Sequence, residues 1–76
     1  MKKLAELSVG EKGEVRGASG GLSQRLRDLG FTRGAEVECL LAAPGRGMRA
    51  YRMRGAVIAL RQRDARQVAV EDERHE

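Results

Sequence analysis

Three observations predict a small all-β barrel from this sequence. Apolar residues alternate with polar ones at a period of two in several short segments, as Val37 and Cys39 do, or Tyr51 and Met53. Ten glycines divide the chain into pieces too short for long helices. Only one stretch, Leu22 to Leu29, carries helical spacing. At 76 residues the chain holds one domain and one small core, and a domain of this size buries only ~60% of the surface its unfolded form exposes. Closing the sheet is then economical, because it removes edges that few residues remain to cover.

The elements follow in chain order. Leu4 and Leu7 are three apart before the turn signal at Gly10, which predicts a short strand or a single turn laid on the core. Gly13 to Ala18 reads as a half-buried strand, with Val15 between charged neighbours, and Gly17, Gly20 and Gly21 then break the chain. Leu22, Leu26 and Leu29 lie at i, i+4 and i+7 and predict a short helix with one apolar stripe. Gly30 supplies the left-handed residue that ends it, while Gly20 and Gly21 offer no strong cap at its start. Gly34 turns the chain into a strand through Val37, Cys39 and Leu41. Pro44 to Gly47 is a turn or loop, Tyr51 and Met53 face inward from the next strand, and Arg54, Gly55 and Ala56 make a hairpin turn. Val57 to Leu60 reads as a buried strand by its β-branched content, Gln62 to Arg66 as one helical turn, and Val68 with Val70 as a last strand. The expected architecture is a small barrel of the SH3-like kind: five to six short strands, with one short helix inserted after the first barrel strand.

Charge is unevenly placed. Lys and Arg number 15 against 11 Asp and Glu, for a net +4. Residues 71–76 carry four acids and one Arg, so that −3 in this tail leaves +7 on residues 1–70. The expected division is a folded domain over 1–70 and a disordered acidic tail over 71–76. A single cysteine forms no intramolecular disulfide, which points to a reducing cytoplasm. The longest apolar runs are five residues, Cys39 to Ala43 and Ala56 to Leu60, far from the ~20 that span a bilayer.

The residues argue against catalysis. His75, the only histidine, lies in the acidic tail, and Cys39 sits on the apolar face of a strand as a small hydrophobe. Acids cluster only in that tail, which is not a preorganised metal site, so neither a metal nor a cofactor is expected. Gly10 and Gly13, or Gly17 and Gly20, lack the Lys-Ser/Thr of a phosphate loop. The arginines are the serious candidate: Arg46, Arg49, Arg52 and Arg54, with Arg61, Arg63 and Arg66, form a continuous basic patch if their strands pair. Such a face either contacts phosphate or is simply solvated, its stems covering apolar surface. The solvated reading leads, because Tyr51 and Phe31 are the only aromatics and Tyr51 is expected to face inward.

These residues also carry a family resemblance over about residues 4–70. Leu4, Leu7 and Gly10, then Gly13 and Val15, then Arg25-Leu26-x-Asp28-Leu29-Gly30-Phe31-x-x-Gly34, resemble the FeoA family. Pro44, Gly55, Ile58-Ala59-Leu60-Arg61-x-x-Asp64-Ala65, Val68 and Val70 continue the likeness in order and spacing. Gly10, Gly30, Gly34, Pro44, Gly55, Leu60, Arg61 and Ala65 are its structural positions, with Arg61 and Asp64 spaced for a local ion pair. Two departures fall at surface segments: Gln24 stands where the family commonly has Arg, and Gly45-Arg46-Gly47 follows Pro44 where Asp-Pro is frequent. The resemblance implies a cytoplasmic, non-enzymatic accessory protein of bacterial ferrous iron uptake, with transition metal ion binding as a family association. Its implied partner is the membrane transporter FeoB, at the cytosolic GTPase portion. Leu22, Arg25, Leu26, Arg46, Met48, Arg49 and Arg52 are the expected partner-binding residues, with Arg25, Arg49 and Arg52 able in principle to reach a phosphate in trans. The competing reading is an SH3-like regulator or RNA-binding module that uses the Arg-rich face. A homo-oligomer is open to any small barrel with an uncovered edge.

Overall fold

A computed structural model describes residues 1–45 and 47–72. The chain runs β1 (Lys2–Lys3), a 3-10 turn (Leu4–Glu6), β2 (Lys12–Ala18), α1 (Ser23–Asp28), β3 (Glu36–Ala42), β4 (Met48–Met53), β5 (Ala56–Arg61), α2 (Gln62–Ala65) and β6 (Val68–Asp72). The six strands form one antiparallel sheet in the order β1-β6-β2-β3-β4-β5. The all-β class and the inserted helix agree with the sequence, but the sheet does not close by hydrogen bonding. β1 is only two residues long, and the seam between it and β5 is filled instead by the 3-10 turn and α2, which touch each other.

Period-two alternation places the core on one face. Val15, Val37, Cys39, Tyr51, Met53, Leu60, Val68 and Val70 are buried, joined by Leu4 and Leu7 from the N-terminal segment, Leu26 from α1 and Ala65 from α2. Two bulges interrupt the alternation. The β3–β4 register shifts between Cys39 and Leu41, so Leu41 pairs with Ala50 and turns outward, 58% exposed, against the expected inward position. The β2–β6 register shifts in the same way around Arg16. β5 lies at the edge of the sheet and alternates, burying Leu60 while Val57 is 64% exposed, so it is half-buried and not a fully buried strand.

Helix α1 is shorter than its leucine spacing suggested. It has six residues, and only Leu26 reaches the core; Leu22 and Leu29 are 37% and 41% exposed. Fewer than two turns anchor one side chain, and the N-cap Leu22 makes no side-chain capping bond. The C-terminal end is well built. Phe31 N–H donates to Leu26 O and Gly30 N–H to Arg27 O, both at 3.0 Å, with Gly30 at φ +114°. These are the two bonds of a Schellman motif, closed over the buried pair Leu26 and Phe31.

The β4–β5 hairpin turns on Arg54 and Gly55, at φ +53° and +80°, the two left-handed positions that a tight type I′ turn requires. At the other end, Glu71 and Asp72 pair with Glu14 and Gly13 and extend β6. The β2 ladder thus holds the chain two residues past position 70. The remainder of the expected tail, residues 73–76, lies outside the described residues.

Candidate functional site

The arginines, expected to form one continuous surface, separate into three groups. Strand β4 makes the first division. Its inward positions run Arg49, Tyr51, Met53 and its outward ones Met48, Ala50, Arg52, so Arg49 shares a face with the buried tyrosine. The Arg49 Nε donates to Tyr51 Oη at 2.8 Å, and its Nη2 donates to Leu7 O and contacts Cys39 Sγ at 3.6 Å. Tyr51 Oη in turn donates to Leu4 O at 3.1 Å. Two β4 side chains thus hold the carbonyls at both ends of the N-terminal 3-10 turn. Burial works to lower the Arg49 pKa, but the hydrogen bond and electrostatic interaction with Tyr51, with those of the adjacent Cys39, outweigh it and raise it. Burial pushes the Tyr51 phenol up, partly offset by Arg49. Arg49, expected at a partner surface, is committed to an internal tether.

The second group finds partners on the surface, acids for some and neutral oxygens for others. Arg52 Nη1 lies 3.2 Å from Glu38 Oε1 across the β3–β4 ladder, and Arg16 sits near both Glu14 and Glu71. Arg54 Nη2 donates to Thr32 Oγ1 at 3.3 Å, and Arg27 Nη2 to Gln24 Oε1 at 3.0 Å.

The third group gathers at α2. Met48 pairs in register with Arg61 across β4 and β5, which brings a methionine from one strand beside the arginines that follow the other. Gly47, Met48, Arg61, Gln62, Arg63 and Arg66 line an open cleft of about 520 Å³. Arg63 lies 3.8 Å from Asp64, so the local ion pair forms with the neighbouring residue and not with Arg61, whose side chain lines the cleft. Gln67 accepts a hydrogen bond from Leu22 N–H at 3.4 Å, so α1 begins beside the end of α2.

Of the expected partner-binding residues, Leu22, Arg25, Met48 and Arg52 are exposed. Leu26 is 1% exposed and is a core anchor, and Arg46 lies outside the described residues. Sequence reasoning places Arg61, Arg63 and Arg66 on the basic face, and Arg61 among the family's structural positions, without singling them out as partner-binding. Their close spacing in Arg61-Gln62-Arg63-Asp64-Ala65-Arg66 is the signal that a short helix would cluster them. Among the described residues no three His, Cys, Asp or Glu side chains gather to hold a metal ion. No helix among them is long and apolar enough to cross a membrane.

Comparison with known proteins follows this geometry. The FeoA domain family profile matches residues 2–72. The FeoA protein of Chlorobium tepidum is similar at 29% identity and TM-score 0.85, over 97% of this chain and 72% of that one. The FeoA of Stenotrophomonas maltophilia, a zinc complex described as a prokaryotic SH3 domain protein and a candidate ferrous iron transport activating factor, is 27% identical at TM-score 0.84, covering 93% and 91%. A manganese-dependent transcriptional repressor shares 18% identity at TM-score 0.82, over 93% of this chain and 41% of that one, which shows a common fold alone. Comparison with curated proteins gives no significant match.

Proposed function

The chain belongs to the FeoA family, and from that premise we propose that it is a non-enzymatic accessory protein of bacterial ferrous iron uptake, acting by docking on the cytosolic GTPase portion of FeoB. The observation that carries this reading is the family match over residues 2–72, which spans every strand and both helices. The SH3-like sheet supports it, because it offers exposed side chains and clefts rather than an enclosed reaction chamber. Leu22, Arg25 and Met48 are exposed on or beside the two short helices, the arrangement a contact surface needs. The RNA-binding alternative has less to stand on: Tyr51 and Phe31, the only aromatics in the sequence, are both 0% exposed, so no aromatic face is offered to a base.

The test is a binding and turnover assay with the purified cytosolic part of FeoB. The wild-type chain is expected to be retained on the immobilised GTPase and to change its GTP hydrolysis rate, while Leu22→Glu weakens both. A wild-type chain that is not retained and that changes neither the hydrolysis rate nor iron uptake would sink the docking proposal.

A further inference from the structure

The geometry points to the Met48–Arg61–Arg63–Arg66 cleft as the docking site for an acidic peptide segment carrying an aliphatic residue. This inference rests on the docking reading above and names the chemistry of the partner. Its first support is charge imbalance. Two smaller clefts mix both signs of charge, Glu36 and Glu38 with Lys12, Arg52 and Arg54 in one, Glu71 and Asp72 with Lys2 in the other. The α2 cleft, the largest of the three, is lined by three arginines and no acid.

The second support is the state of those arginines. Arg27, Arg49, Arg52 and Arg54 each have a hydrogen-bond partner in the protein, and Arg16 lies between two acids, Glu14 and Glu71. Arg61 and Arg66 have no ion pair or side-chain hydrogen bond among the described residues, and Arg63 has only the long contact to Asp64. Exposed guanidinium groups that share one concavity keep their planar donors free, and the geometry matches carboxylate in pairs.

The third support is the wall. Met48 is 43% exposed where it meets Arg61, and its flexible thioether adapts to an aliphatic side chain. A nucleotide or RNA would want a stacking surface, and both aromatics are buried. Carboxylates flanking an aliphatic residue satisfy both the arginines and the wall.

The experiment uses the full chain and a short fluorescein-labelled peptide of Asp and Glu around one central Leu. Its comparison probes are a Lys-for-acid version of that peptide and an oligouridine of similar charge. Anisotropy should show saturable binding of the acidic peptide alone, weakened at least ten-fold by Arg61→Glu with Arg66→Glu and several-fold by Met48→Ala. Arg33→Glu, at an exposed arginine in the turn before β3 and outside the cleft, should leave it unchanged, and amide shifts should concentrate at residues 47, 48 and 61–66. Circular dichroism checks that each variant is folded. Equal binding by the doubly reversed variant, equal loss with Arg33→Glu, or tighter binding of oligouridine overturns the inference. The docking proposal fails separately: a wild-type chain that holds the peptide through this cleft but not the transporter refutes docking and leaves the cleft standing. A reversed variant that binds the transporter as well as wild type does the opposite.

Discussion

Replacing Tyr51 with Phe removes one oxygen atom from the centre of the fold and leaves the ring in place. The oxygen donates to Leu4 O at 3.1 Å and accepts from Arg49 Nε at 2.8 Å, and the residue is wholly buried. The substitution opens no cavity of consequence, so the loss is a loss of hydrogen bonds. A neutral bond contributes about 0.5–1.5 kcal/mol and one with a charged donor about 1.5–3. Arg49 is half-exposed and water recovers part of its share, while Leu4 O keeps the bond from Leu7 N–H. The expected cost is therefore about 2–3 kcal/mol. A domain of this size has a total stability on the order of 4–11 kcal/mol, and the loss should lower Tm by roughly 10–20 °C. Tyr51 is the only tyrosine and tryptophan is absent, so urea unfolding should be followed by far-ultraviolet circular dichroism, with the midpoint falling at constant m. A double-mutant cycle with Arg49→Met should return a coupling of about 1 kcal/mol or more between these contacting side chains. A cost below about 0.5 kcal/mol, or a coupling near zero, would refute the claim that this pair tethers the N-terminal turn.

Two other perturbations follow from the same residues and their neighbours. Burial raises the Tyr51 pKa above the usual phenol value of about 10, so the folded chain keeps this proton to higher pH than the unfolded chain does. The stability it contributes is complete below about pH 10 and is lost as pH rises through the folded value; the wild type should destabilise in that window more steeply than Tyr51→Phe, as read by urea midpoints on both sides of it. Arg54 occupies a left-handed position at φ +53° with only an exposed bond to Thr32. Arg54→Asn should raise stability by about 0.5–1 kcal/mol, since Asn-Gly favours this turn, and a lower Tm would contradict the turn assignment.

Much of the fold was legible because strand alternation is a local property. Val37 and Cys39, Tyr51 and Met53, and Val68 and Val70 all point inward as their spacing indicates. The glycine after Leu29 ends the helix for a reason that lies in that residue alone, and the family motif runs through these same positions. The alternation also held an unread consequence: counting back two from Tyr51 puts Arg49 inward, away from the surface to which its charge suggested it belonged.

The sequence by itself determined the all-β class, the place of the helix, the hairpin turn and the family, because each rests on residues within a few positions of one another. Only the tertiary structure decided where the bulges fall, and one of them turns Leu41 out. It decided also that the sheet stays open beside the 3-10 turn and that β6 continues to Asp72. It alone sorted the arginines into tethered, partnered and free. That sorting depends on which acids and carbonyls arrive from distant strands, as Glu38 reaches Arg52 and Leu7 reaches Arg49 across 42 positions of chain. Charge is carried by the residue, but its availability to a partner is fixed by what the fold places within hydrogen-bond reach.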